Sequence, residues 1–123
     1  MVKMTFCLRR LSHLSREEFQ RYWRETHGPL VRERAATLRI RRYVQSHTLS
    51  DELNDGIRKS KGLAEGYDGV AELWWDSLEE LGKVAGTAEG SRASGELFED
   101  EKRFIDHATS CCFLSEDHAL IGD

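Results

Sequence analysis

Apolar and polar side chains alternate from Val2 to Arg10, which sets Val2, Met4, Phe6 and Leu8 on one face and Cys7 on the other. That is the period of a half-buried strand. Leu11 to Leu14 make a turn. Ser15 then stands three residues before Glu18, a capping box that opens a helix. Phe19, Tyr22, Trp23, Thr26 and Leu30 recur at helical spacing, with Arg16, Glu17, Arg21, Arg24 and Glu25 mostly outside. Gly28-Pro29 predicts a break, because proline cannot continue a helix and disfavours the α region before it. A second helical segment runs to about Leu38. Alternation resumes from Ile40 to Leu49, with Ile40, Arg42, Val44 and Ser46 opposite Arg41, Tyr43, Gln45 and His47.

Residues 50–67 are polar and rich in turn formers, and read as a long loop, a lid or an interface arm. Asp68 to Trp75 is a strand with its two tryptophans on opposite faces. Ser77 and Glu80 repeat the capping box of Ser15 and Glu18. A further helix fits Ser94 to Ile105, with Leu97, Phe98, Glu101, Phe104 and Ile105 near one face, and a last strand runs from about His107 to Ser115. Each half is thus strand, capped helix, strand. Residues 1–123 form one domain, an α+β ferredoxin-like βαββαβ sandwich: a four-stranded antiparallel sheet with helices on one face. Both sheet faces carry large apolar residues while the chain's own helices cover one. The uncovered face implies a second sheet, and hence a homodimer.

Charge changes the picture little. Residues 1–42 carry 11 Lys/Arg against 4 Asp/Glu, and residues 43–123 carry 7 against 18. The arginines are spread through strand and helix positions without exposed aromatics between them, which disfavours a nucleic-acid surface. Complementarity within the fold, or between subunits, explains the split. No apolar run approaches the ~18–20 residues of a membrane span. The first residues read directly into a strand and not as a signal peptide. Cys7, Cys111 and Cys112 fit neither a disulfide framework nor a zinc site, so a reducing cytoplasm is expected.

Candidate chemistry centres on His27, held before the only proline of the chain. An imidazole there serves either as a surface cap or as a general acid–base group, since its unperturbed pKa lies near neutrality. Tyr22 and Trp23, one turn earlier, line the same cavity or simply fill the core. Tyr43 and His47 share one face of strand two. Glu72 alternates with Val70 and Trp74 on a face that should be buried, with Arg9 or Arg42 as its partner. Phe104 and His107 flank the start of the last strand. The histidines are scattered and the carboxylates stand apart from them, so no metal site is expected. No glycine-rich phosphate loop follows a strand, and no organic cofactor is expected.

Three motifs together resemble the EthD family of dimeric α/β-barrel proteins. They are Phe19-x-x-Tyr22-Trp23-x-x-x-His27-Gly28-Pro29-Leu30-Val31, Tyr67-Asp68-Gly69-Val70-Ala71-Glu72-Leu73-Trp74-Trp75-Asp76-Ser77, and Phe104-Ile105-Asp106. The resemblance implies a ferredoxin-like protomer, face-to-face packing of two sheets, and a small pocket between sheet and helices. It also gives His27 the family's His-x-Pro-Leu position. The expectation is an enzyme using cofactor-independent acid–base chemistry (cyclisation, isomerisation or dehydration) on an apolar aromatic or polyketide-like small molecule. His27 would be catalytic, and Tyr22, Trp23, Tyr43, His47, Glu72, Trp74, Phe104 and His107 would contact substrate. The alternatives are a cofactor-independent or haem-using monooxygenase, and a non-catalytic accessory protein of a degradation pathway.

Overall fold

The alternating segments pair into one antiparallel sheet. In the computed structural model, which describes residues 1–122, the strands are β1 (Val2–Leu8), β2 (Arg42–His47), β3 (Gly69–Trp75) and β4 (Cys111–Glu116), in the order β2-β3-β1-β4. Phe6 stands opposite Ala71 on β3 and Cys112 on β4, and Val44 opposite Glu72. The period of two then carries Met4, Phe6, Leu8, Ala71, Leu73, Trp75 and Tyr43 to one face. Lys3, Thr5, Cys7, Val44, Val70, Glu72, Trp74 and Phe113 go to the other.

Helices α1 (Arg16–Tyr22), α2 (Gly28–Arg34), α4 (Leu78–Ala85) and α5 (Ala88–Glu101) belong to the two sheet-helix-sheet units. Ser15 caps α1 with the reciprocal box: its side chain accepts from the Glu18 N–H and the Glu18 carboxylate accepts from the Ser15 N–H. The second box closes on one side only. Ser77 accepts from the Glu80 N–H, but the Glu80 carboxylate turns to Arg39 at 2.6 Å and Lys83 at 2.9 Å.

The predicted break at Gly28-Pro29 is instead a widened turn. Trp23–His27 forms a π-helical turn in which the Gly28 N–H reaches the Trp23 carbonyl, and both His27 and Gly28 keep helical dihedrals. One extra residue in the turn relieves the clash of a proline ring with the carbonyl four residues back, so the helix bends through rather than ends.

Three other boundaries differ from the sequence reading. Residues 50–67 are not loop throughout: α3 (Glu52–Ser60) starts at Asp51, whose side chain accepts from the Leu53 N–H. Its Gly56 faces open space, where a glycine costs a helix little. Helix α5 begins at Ala88 and not Ser94, because Thr87 caps it by accepting from the Gly90 N–H. The glycine and alanine positions there hide the apolar period yet let α5 approach α4, since a Cβ on Gly90 would run into the Val84 carbonyl. His107 belongs to a 3₁₀ turn (His107–Thr109), and β4 starts only at Cys111.

The core lies between sheet and helices. Phe19, Trp23, Phe104 and Leu8 are fully buried. Gly69 makes room for Trp23, whose ring occupies the space a Cβ would need. Asp68 is buried beside it, accepting from the Arg10 N–H and side chain at 2.9 Å and from Arg16 at 3.1 Å. Burial pushes its carboxyl pKa up, but the Arg10 N–H and the two guanidiniums outweigh that and hold it below the ordinary 3.8.

Candidate functional site

Between the sheet and the helices lies a cavity of about 220 Å³, walled mainly by apolar side chains of β1, β3, the π turn, α2, α4 and α5. An engineered core cavity of ~150 Å³ holds benzene, so this one suits a ligand of one or two rings. Its polar wall consists of His27, Tyr43, Ser94 and Glu101.

The π turn aims His27 inward. The residue is 5% exposed, and its ring packs on Phe104 with centroids 5.0 Å apart. Nδ1 lies 2.8 Å from the Asp100 carboxylate on the last turn of α5. The other Asp100 oxygen accepts from the Tyr22 hydroxyl at 2.5 Å. A carboxylate only accepts, so it selects the imidazole tautomer with hydrogen on Nδ1 and leaves a lone pair on Nε2. Nε2 has no hydrogen-bond partner among the described residues, while no fully enclosed side-chain nitrogen or oxygen goes unpaired. Nε2 therefore meets accessible space at the cavity wall. Burial, then the bond to Asp100, raises the Tyr22 pKa and keeps that hydroxyl a donor.

A second carboxylate enters from the same helix turn. Glu101 lines the cavity and bonds His107 Nε2 at 3.0 Å. His107 in turn packs edge-on against Phe98, with centroids 5.0 Å apart. Tyr43 completes the polar wall: its hydroxyl accepts from Gln45 Nε2 at 2.7 Å, and burial raises its pKa. The same Gln45 amide donates to the Trp23 carbonyl at 3.0 Å, tying the π turn to β2.

Of the residues singled out in the sequence, His27, Trp23 and Tyr43 line the cavity. Tyr22 stands behind them on Asp100, and Phe104 packs beneath Phe19, Tyr22 and His27. His47 lies outside the cavity wall, over the Trp23 ring and donating from Nε2 to Gln45 at 2.8 Å; burial lowers its pKa. His107 reaches the site only through Glu101. Glu72 and Trp74 do not join it at all: the β3 register places them on the opposite sheet face. There Glu72 pairs with Lys3 at 2.9 Å and not with Arg9 or Arg42, while Arg42 lies over the Trp74 ring. Asp100 and Glu101 are site residues that the sequence pattern does not mark as such. Glu101 left a trace, a charged side chain on the apolar side of its helix, whereas Asp100 left none because its partners are 73 and 78 positions away. Among the described residues no group of three or more His, Cys, Asp or Glu is placed to hold a metal ion. Among the described residues no helix is long and apolar enough to cross a membrane.

The sheet order and the single helical layer make this an α+β protein of the ferredoxin-like class. Residues 11–108 match the EthD domain model, and the chain belongs to the EthD family. No curated protein sequence matches it. An ethyl tert-butyl ether degradation (EthD) family protein from Bacillus halodurans C-125 superposes with a TM-score of 0.64 at 17% identity, covering 96% of this chain and 99% of that one. A dimeric protein of unknown function and ferredoxin-like fold from Bacteroides fragilis NCTC 9343 gives 0.59 at 13%, covering 94% and 95%. SnoaB, a cofactor-independent oxygenase from Streptomyces nogalater, gives 0.50 at 13%, covering 98% of each. At these identities the likeness is one of fold.

Proposed function

We propose that the protein is a homodimeric enzyme that moves a proton on a small, largely apolar aromatic or polyketide-like metabolite without a cofactor. The observation that carries this is the cavity-facing Nε2 of His27, backed through Nδ1 by Asp100 and Tyr22. Nε2 removes a proton from carbon beside a carbonyl, Asp100 stabilises the imidazolium that results, and the apolar wall holds the ring in place. Return of the proton to another position gives isomerisation; attack of the enolate within the same molecule gives cyclisation.

The test needs no knowledge of the natural substrate. The two-ring enolisable ketone 2-tetralone, dissolved in D₂O with the protein, should exchange its hydrogens next to the carbonyl faster than with buffer alone. His27→Gln should lower that rate about 10²–10⁴-fold while leaving ketone binding intact. Absence of any acceleration by the native chain would refute the proton-transfer reading and leave a binding role.

The likeness in fold to a cofactor-independent oxygenase supports a second reading, in which O₂ attacks the carbanion formed by the same step. Oxygen consumption separates the two. The dimer reading rests on the uncovered sheet face, where Val44, Val70, Trp74 and the 52% exposed Phe113 lie without helices over them, and a relative in fold is dimeric. Sedimentation at micromolar concentration should give twice the chain mass. The three free cysteines support a reducing compartment such as the cytoplasm.

A further inference from the structure

A second depression, of about 380 Å³, adjoins the cavity and shares with it Val31, Ile40 and Tyr43. Four of its ten lining residues are arginines, Arg24, Arg32, Arg41 and Arg42, and none is acidic. These side chains are weakly engaged. Arg24 lies 3.9 Å from Glu25 and Arg41 3.6 Å from Asp76, both exposed pairs. Arg42 carries its guanidinium to the opposite sheet face, 4.8 Å from the centroid of the Trp74 ring, and leaves three for the groove. Arg32 makes no side-chain ion pair among the described residues. Arg10, Arg16, Arg34 and Arg39, by contrast, each meet a carboxylate at 3.1 Å or less.

The three guanidiniums of Arg24, Arg32 and Arg41 around one concavity repel one another, and the nearby carboxylates offset little of that at such distances. An oxyanion placed among them would receive planar, bidentate, charge-assisted hydrogen bonds. The groove and the cavity adjoin at Val31, Ile40 and Tyr43, so a molecule reaching past these side chains would span both.

From this juxtaposition we infer that the arginine groove binds the oxyanion end, carboxylate or phosphate, of a ligand whose ring fills the cavity. The inference rests on the cavity being the ligand site proposed above, and it narrows the ligand class to ring compounds with an acidic tail. Arg24 and Arg32, on the exposed side of the helical layer, supply charge at the mouth. Tyr43 stands where tail and ring would join.

Two titrations of the full chain test it. Inorganic phosphate, followed at the arginine Nε–H resonances, should give saturable shifts that Arg24→Gln/Arg32→Gln removes; shifts that fail to saturate overturn the groove. 2-Naphthoate and 2-naphthyl phosphate should bind about tenfold or more tightly than 2-naphthol. Salt and the double variant should erase that preference while 2-naphthol binding holds. Whichever acid gains more identifies the tail, and equal affinity for all three overturns the inference. Should 2-naphthol itself fail to bind, the cavity reading falls instead, and the phosphate titration still decides the groove.

Discussion

The two halves of the chain repeat one plan, strand, capped helix, strand, yet contribute opposite chemistry to the site. The first half is basic and delivers its imidazole from an irregular π turn; the second is acidic and delivers Asp100 and Glu101 from the last turn of a regular helix. Their charges meet across the fold: Lys3 with Glu72, Arg10 and Arg16 with Asp68, Arg34 with Glu96, Arg39 with Glu80, and His27 with Asp100. The uneven charge of the sequence is therefore largely internal matching between halves, and the groove arginines are the conspicuous remainder. Duplication supplies the scaffold, and the departures from it supply the site.

The comparison breaks first at Asp100. Asp100→Asn keeps the size of the side chain but removes the charge that would stabilise an imidazolium, and its amide can present N–H where the carboxylate only accepts. Exchange of 2-tetralone should fall by at least about tenfold, with ketone binding retained, because the imidazolium formed in the step loses its counter-charge and Nδ1 its acceptor. An unchanged exchange rate would make Asp100 a structural residue. Tyr22→Phe should reproduce a smaller part of the same change.

The Asp68 cluster tests the matching between halves as a matter of stability. Asp68→Ala strips the buried Arg10 N–H and two guanidiniums of their acceptor and should cost about 3 kcal/mol, seen in denaturant midpoints. The folded carboxyl is held below its ordinary value of 3.8, so its charged form contributes fully above that pH. The contribution fades as the pH falls through the depressed folded value. The gap between wild type and Asp68→Ala should therefore be constant from pH 5 to 7, about neutrality and below, and shrink in stronger acid.

Where the sequence spoke clearly, it spoke through periodicity. Alternation in residues 2–8, 42–47 and 69–75 located three strands and their faces, and Ser15, Glu18 and Ser77 located two helix starts. It was silent where position depends on partners distant in the chain. At the π turn the sequence predicts a break, because proline's local cost is visible while the compensating Trp23 carbonyl bond is not. Helix α3 reads as loop in the sequence because no residue in it is buried, so its Leu53 and Ile57 have no tie to the core. Alternation draws Glu72 and Trp74 to the ligand site because it fixes which residues share a face, not which face the helices cover.

The smallest effect separates the two capping boxes. Both Ser15 and Ser77 accept from the backbone N–H three residues on, and loss of such a cap costs about 0.5–2 kcal/mol. At α1 the reciprocal Glu18 bond survives in Ser15→Ala, holding the Ser15 backbone in its cap geometry. At α4 the Glu80 carboxylate is committed to Arg39 and Lys83, so Ser77→Ala leaves the helix start with no side-chain cap. Ser77→Ala should thus lower the thermal midpoint more than Ser15→Ala. Glu18→Gln should weaken only α1, because an amide oxygen can still accept from Ser15 N–H but no longer places a negative charge at the helix N-terminus. Equal losses for Ser15→Ala and Ser77→Ala would mean that the reciprocal arm contributes nothing, and that the two halves begin their helices by the same device after all.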